Sequence, residues 1–447
     1  MIKKYLVFVL LILYFTAGVL VIYFFDGTGD AGDSVLHYLF ARYAPFHPEL
    51  YFDHWAKPVF VLLGSPFAQF GMKGMKFFNL LVSLLAMYIT WRSCILLNIK
   101  NSHVVPLFMI LAPYAFVQTF SGLTEPLFAL FLISGVYFVL KRRCMVAAII
   151  ISFLPFVRSE GLVIMGVFAL YFVVGKNWKN LMLLLFGHLI YSLAGSIVHH
   201  DLLWVFNKIP YASLSSVYGH GGITHFVTQL LYVVGIPVYL LFLLGLLGYI
   251  SGWLRRKERL ISVNTMLILG CTLAYIIAHS LFWYFGLFNS MGLKRVLIGI
   301  MPLLAIISLQ GFNLISEQKF FGPKVKTTIK VVVVAYLCVF PFTNNPAALK
   351  AGELQTDEGQ KCARDVTAYI NDNFSGHGKL FYAYHYFSMT FDLDHFDKSV
   401  HLELTKESLN NIKRGDLVIW DSWFAQNNTG VTSAYLDSIA GMTKVAD

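Results

Sequence analysis

Long apolar runs recur along this chain, separated by short polar connections, and they leave few folds open. A helix needs about 20 apolar residues to cross the hydrocarbon of a bilayer. Runs of this kind, some of them shorter, fall near residues 5–25, 77–97, 104–120, 123–140, 144–157, 161–175, 181–199, 230–252, 263–285, 296–315 and 327–343. A further piece at 59–70 is too short to span. It contains Gly64 and Pro66 and ends beside Gly71, so it reads as an interfacial or re-entrant segment. Only 13% of the 447 residues are charged, against about 25% in soluble domains. The expected fold is therefore a polytopic α-helical membrane protein with about 11 transmembrane helices.

The connections give a direction. Lys plus Arg outnumber Asp plus Glu by 34 to 24. In a soluble chain that excess would suggest a nucleic-acid partner. Here the cations cluster in short loops: Lys3 and Lys4, Lys100, Lys141 to Arg143, Lys176 with Lys179, Arg255 to Arg259, and Lys319, Lys324, Lys326 and Lys330. With eleven spans they all fall on one side, which the positive-inside rule makes cytoplasmic. No nucleic acid is expected as a partner. The opposite face then receives 26–58, 121–126, 158–161, 199–229, 285–295 and everything after 343. The apolar run after Lys4 is too long for a signal peptide and lacks a small-x-small cleavage site, so it reads as a retained helix with a cytoplasmic N-terminus. Four of the five cysteines lie in or beside apolar runs and only Cys362 lies in the tail, so no disulfide framework is expected.

Residues 344–447 lack a spanning run and read as a small extracytoplasmic α/β domain. A helix is expected at 362–374, with Val366, Tyr369 and Ile370 on one face, and strands at 379–387 and 416–420, with a helical piece at 407–412 between them. Trp420 is read as a core residue of the second strand. The preceding 1–343 form the membrane domain. No internal repeat is visible.

Chemistry gathers in the first outer loop, residues 26–58. It holds Asp26, Asp30, Asp33, Glu49, Asp53, His37, His47, His54, Arg42 and Lys57. Ionisable groups at a membrane boundary are costly, which favours a functional role. The plain alternatives are that Asp33 or Ser34 caps a following helix and that Lys57 reaches to the interface. Further groups mark the same face: Glu125 in Ser121-Gly122-Leu123-Thr124-Glu125-Pro126, Arg158 and Glu160 in Arg158-Ser159-Glu160-Gly161, and Lys294-Arg295. His199-His200-Asp201 resembles a metal cluster, but headgroup-level histidines explain it better. Tyr218-Gly219-His220-Gly221-Gly222 is flexible enough to close over a ligand.

Gly32-Asp33-Ser34-Val35-Leu36-His37-Tyr38 followed by Tyr51-Phe52-Asp53-His54-Trp55-Ala56-Lys57-Pro58 resembles the first outer loop of the GT-C glycosyltransferase superfamily. That superfamily includes the protein O-mannosyltransferases and the lipid A aminoarabinose transferase. The Glu125 element and the Arg158–Glu160 turn, similar to an Arg-Pro-Glu-Gly turn of mannosyltransferases, add to the likeness. Many relatives carry Glu where this chain has Ser34, which leaves the second acid to Asp53, to Asp30, or to neither. The resemblance implies an inverting glycosyltransferase taking a sugar, with mannose suggested by the turn, from a polyprenyl-phosphate donor to an unidentified acceptor outside the membrane. It implies Asp33 as the base. Asp53, Lys57, Glu125, Arg158, Glu160, Arg295, His37 and Tyr38 are the implied substrate-binding residues. Lys57 with Arg158 or Arg295 would hold the phosphate. No cofactor is required by such chemistry, and a divalent cation is compatible with the loop's acids and histidines. A bacterial inner membrane is the expected location, with membrane lipid around the chain. The alternative class is a secondary transporter or flippase for a lipid-linked or anionic substrate. Transporters, however, hold their charges mid-membrane in broken helices of repeated halves.

Overall fold

The computed structural model describes residues 2–30, 32–211, 215–216, 218–254, 262–318 and 320–446. The expected basic cluster at 255–259 and Lys319 lie outside the described residues. Among the described residues, six helices are long and apolar enough to cross a membrane: Lys4–Phe24, Gly71–Leu96, Trp178–His199, Asn264–Tyr284, Lys294–Ser316 and Pro323–Phe342. Shorter apolar helices at Glu125–Leu140, Cys144–Phe156, Gly161–Val174, His225–Val234 and Ile236–Gly252 complete the bundle. The chain is a polytopic helical membrane protein with a small sheet near its C-terminus.

Two of the expected spans are interrupted. Residues 104–120 form two short helices, Val105–Ile110 and Pro113–Gln118, rather than one. Pro113 has no amide hydrogen to donate to the preceding turn, and its ring clashes there, so the first helix ends and a second starts. The 230–252 run breaks between Val234 and Ile236, where Gly235 takes φ +77° against Phe340 and Pro113. Several helices also start before the apolar count suggested, at Gly71, Trp178 and Pro323. Backbone hydrogen bonding continues through the polar flanks, which hydropathy does not register.

Packing orders the bundle ends. The helix Ile2–Phe24 runs antiparallel to Gly71–Leu96: Phe8 meets Trp91 at 6.0 Å, while Lys73 lies 5.8 Å from the Tyr23 ring and 3.7 Å from Asp26. At the far end Lys100 and Lys330 both pair with Glu317, at 3.6 and 2.5 Å. The 26–58 loop lies at the opposite end. There Pro58–Ala68 stays beside the helix Asp33–Tyr43 without crossing, tied by Gln69 donating to the Arg42 carbonyl at 2.9 Å. Inside the bundle, Gly311 stands against the Leu241 carbonyl and Gly245 against that of Ile307. These contacts let the helices Met301–Ser316 and Ile236–Leu254 approach at backbone distance.

The tail folds against the loop end. Leu380–Tyr382 is the central strand of a parallel sheet, between His401–Glu403 and Leu417–Ile419. The helix Glu358–Asn373 buries Ala363, Thr367 and Ile370, while Tyr369, expected on the inner face, is exposed. The expected 379–387 strand ends at Tyr382, and Tyr386–Thr390 is helical because it packs on Glu358–Asn373, with Thr367 and Thr390 hydroxyls 2.6 Å apart. The strand His401–Glu403 had no expected counterpart. Trp420 donates to the Val431 carbonyl at 2.9 Å, and Trp423 is exposed. The tail docks on the first loop through Arg42–Asp392 and His47–Asp394, both at 2.8 Å, and through Phe40 against Phe396.

Candidate active site

The site begins with a short glycine-flanked acidic loop, Asp26 to Asp33, that leads into the helix Asp33–Tyr43. Neither Asp33 nor Ser34 caps that helix. Gly32 stands at the cap position, and Asp30 substitutes for its missing side chain, its Oδ1 accepting from the Gly32 and Ser34 amides at 3.0 and 3.4 Å. The capping duty falls three residues upstream, and the Asp33 carboxylate is released to face the bundle.

There it meets Arg295, at the start of the 3-10 turn Lys294–Ile300. One guanidinium nitrogen donates to Asp30 Oδ2 and the other to Asp33 Oδ2. The fork geometry of Arg suits two carboxylates at once. The second acid beside Asp33 is thus Asp30, one of the alternatives left open by Ser34. Arg295 Nε lies 3.5 Å from Glu125 Oε1, and Arg158 Nη1 lies 2.8 Å from the same oxygen. Glu125 is only 1% exposed. It opens the helix Glu125–Leu140, where the helix dipole favours an anion. Arg158 also donates to Thr124 Oγ1 at 2.8 Å and to Glu160 Oε1 at 2.9 Å. Burial alone would raise the Glu160 pKa, but Arg158 beside it, aided by His279, holds it down to about 2. Burial works against the Arg158 charge too, and Glu125 and Glu160 outweigh it and raise its pKa. Four carboxylates and two guanidiniums form one alternating chain.

Lys57 stands next to this chain under different conditions. Its Nζ donates to Ser159 Oγ at 3.0 Å and to the His54 carbonyl at 3.1 Å. Among the described residues no carboxylate lies within 4.0 Å of it. Burial, reinforced by Arg158, lowers its pKa to about 8 despite the opposing pull of Glu160. Its backbone sits at φ +68°, which a residue with a Cβ adopts only under constraint. Asp53 supplies part of that constraint, its Oδ1 accepting from the Ala56 amide at 2.8 Å. Asp53 therefore shapes the turn that presents Lys57 and does not join the charge cluster.

Of the remaining expected residues, His37 lines the same region. It stacks on Trp55 at 4.9 Å and meets the Phe60 edge, and its Nδ1 is buried without a hydrogen-bond partner. Burial, then the Lys57, Arg158 and Arg295 charges, lower its pKa to about 3, so it is neutral. Tyr38 stands apart: it is 2% exposed, and its hydroxyl accepts from Arg42 at 2.6 Å, on the side where Arg42 pairs with Asp392. One residue along the helix from His37 places it a third of a turn away. His199, His200 and Asp201 form no cluster. His199 bonds the Phe52 carbonyl at 2.9 Å, and Asp201 holds Leu203 and Asn207 locally. Among the described residues no three His, Cys, Asp or Glu side chains are grouped to hold a metal ion.

Sequence reasoning passed over Thr124, Ser159 and His279, and named Asp30 only as an alternative. His279 lies 3.9 Å from Glu160. Its signal was an ionisable side chain inside the apolar run 263–285. Thr124 and Ser159 carried none beyond adjacency to Glu125 and Arg158.

No family model matches this chain, and no curated protein matches it. Solved structures do. The ligand-free crystal structure of ArnT from Cupriavidus metallidurans superposes with a TM-score of 0.61 at 12% identity, covering 94% of each chain. The apo oligosaccharyltransferase of Archaeoglobus fulgidus matches with a TM-score of 0.55 at 10% identity, covering 85% of this chain and 63% of its own. The chain has the GT-C fold. In this GT-C frame the acidic loop, the Glu125 helix start, the Arg158–Glu160 turn and Arg295 come together at one end of the bundle, beneath the sheet-bearing tail.

Proposed function

We propose that this GT-C protein is an inverting glycosyltransferase that uses a polyprenyl-phosphate sugar at the extracytoplasmic face of the membrane. The observation that carries this reading is Lys57, a part-buried cation held by two neutral oxygens while both neighbouring guanidiniums have carboxylate partners. A cation placed so lacks only an anion, and a donor phosphate fits the need.

The reaction asks for a base at the acceptor hydroxyl and positive charge at the departing phosphate. In the ligand-free arrangement Arg295 occupies Asp33 and Asp30. An arriving phosphate competes for Arg295 and relaxes its grip on Asp33, which then takes the acceptor proton. Lys57 and Arg295 stay on the phosphate as the glycosidic bond breaks. Arg158, with both carboxylate partners, frames the site and holds Glu125 between the two guanidiniums. Mannose is the sugar favoured by the Arg158–Glu160 turn, and the ends of the chain follow from the loop charges, with a cytoplasmic N-terminus in a bacterial inner membrane. We divide the chain into a catalytic membrane domain, 1–343, and an extracytoplasmic domain, 344–447.

The test is a transfer assay in membranes with a panel of polyprenyl-phosphate sugars, comparing wild type with Asp33→Asn. Turnover by the wild type, lost in Asp33→Asn with donor binding retained, is the expected result. Full turnover by the variant would move the base elsewhere. No turnover of any donor by folded wild-type protein would refute the transferase reading.

A further inference from the structure

The extracytoplasmic unit does more than cover the acids. Gln360, in the first turn of the helix Glu358–Asn373, reaches down from it into the first loop. The Gln360 Nε2 donates to Thr28 Oγ1 at 2.7 Å, and the Thr28 hydroxyl donates to the Asp30 carbonyl at 2.5 Å. A hydroxyl has one proton. Because Thr28 gives its proton to a carbonyl, it can only accept from Gln360, which fixes the amide orientation. Both side chains are closed off from solvent, at 1% and 2% exposure. The backbone amide of Gln360 donates to the capping Asp357 carboxylate at 2.9 Å, so the side chain springs from a capped helix start.

Asp30 is thereby fixed from several sides. Its carbonyl accepts a second hydroxyl, Ser34 Oγ at 2.6 Å, its Oδ1 caps the helix, and its Oδ2 meets Arg295. The contact between the unit and the loop is close along its length. The Gly27 amide donates to the Leu354 carbonyl at 3.1 Å, and a Cβ at Gly27 would collide with the Leu354 and Gln355 carbonyls. A Cβ at Gly32 would press on the Phe424 ring at 3.3 Å.

We infer that Gln360 and Thr28 are positioning residues, through which the extracytoplasmic unit sets the placement of the Asp30–Asp33 acid pair opposite Arg295. The catalytic part of this inference rests on the transferase reading above; the structural part does not. Neither residue touches the reacting groups. Their effect passes through the backbone of Asp30 to the carboxylates three residues apart, and displacements of about 1 Å at such groups cost rates of up to about 100-fold.

The experiment compares Thr28→Val, which keeps the shape and loses both hydrogen bonds, with Thr28→Ser, which keeps the hydroxyl, in the full chain in nanodiscs. Transfer kinetics and amide hydrogen exchange over residues 27–34 are read together. The expected result for Thr28→Val is a fall in kcat of about tenfold or more, with KM for the donor within about twofold and faster exchange in the segment. Thr28→Ser should restore both, and Gln360→Leu should behave as Thr28→Val. Wild-type kcat in Thr28→Val overturns the inference, as does equal loss in Thr28→Val and Thr28→Ser. If the wild type turns over no donor, the transferase reading fails by itself. The exchange contrast between the two Thr28 variants then decides the positioning, and its absence overturns it.

Discussion

Raising the pH should weaken donor use through Lys57, and the structure sets where. Its ammonium has a pKa lowered from 10.5 to about 8, by burial first and by Arg158 second. At pH 7 charged lysine therefore outnumbers neutral about tenfold, and at pH 9 the ratio is reversed. If this charge holds the donor phosphate, kcat/KM, which reports ionisations of the free enzyme, should be level below about pH 7.5. Above about pH 8 it should fall about tenfold per unit. Arginine keeps its charge throughout this range, so Lys57→Arg should flatten the profile at a lower plateau. The assay is initial transfer rate at subsaturating donor from pH 6.5 to 9.5. A wild-type profile that is flat, or that falls with the same midpoint in Lys57→Arg, would refute the argument. The same residue makes a stability statement of opposite sense. Because the folded pKa lies below the unfolded one, the unfolded chain binds more protons between about pH 8 and 10.5. Charged Lys57 thus costs about 3 kcal/mol below pH 8, a cost relieved as pH rises through that window. Its two hydrogen bonds return about 1 kcal/mol each. Lys57→Met should therefore fold at pH 7 about 1 kcal/mol more stably than wild type while losing transfer, which thermal denaturation in one detergent would measure.

Two further outcomes follow from buried groups away from Lys57. Glu125→Ala removes the carboxylate between Arg158 and Arg295 and should destabilise the protein by about 3–5 kcal/mol, with Glu125→Gln milder because a polar oxygen stays between the two guanidiniums. Equal denaturation midpoints for wild type and Glu125→Ala would count against a shared buried network. In the tail, His385, His395 and His401 lie in a row with ring centres 5.1 and 5.0 Å apart. Burial is the main cause that lowers their pKa values, to about 4, 2 and 4; each of the first two is also disfavoured by neighbouring imidazoles, and Asp33 partly opposes this at His385. Folded pKa values below the unfolded value near 6.5 mean stability present above that pH and lost as pH falls from about 6.5 towards 4. Limited proteolysis of the full chain should cut within 344–447 faster at pH 5 than at pH 7, and equal rates would contradict the buried neutral assignment.

Much of the architecture was legible from residues alone, because hydrocarbon sets one rule for every span: each must be apolar and must satisfy its own backbone. That rule, with the charges of the loops, puts Asp33, Glu125, Arg158, Glu160 and Arg295 on one face from sequence alone. It could not say which acid partners which cation. Asp30 and Asp53 stand three and twenty residues from Asp33 in the same 26–58 loop. Only the turn that makes Asp30 a helix cap directs its other oxygen at Arg295, while Asp53 is spent closing the turn before Lys57. Tyr38 and His37 are neighbours in sequence, yet helical rotation sends one towards Arg42 and the other towards Trp55. The short strand Leu380–Tyr382 depends on partner strands at His401–Glu403 and Leu417–Ile419, and the Gln360–Thr28 bond joins segments more than 300 residues apart along the chain, which no local pattern records. Sequence by itself determined the solvent each segment must occupy, since transfer from water to hydrocarbon is a property of side chains taken one at a time. Tertiary structure alone decided the pairing of charges, since that depends on distances of a few ångströms between groups brought together only by folding.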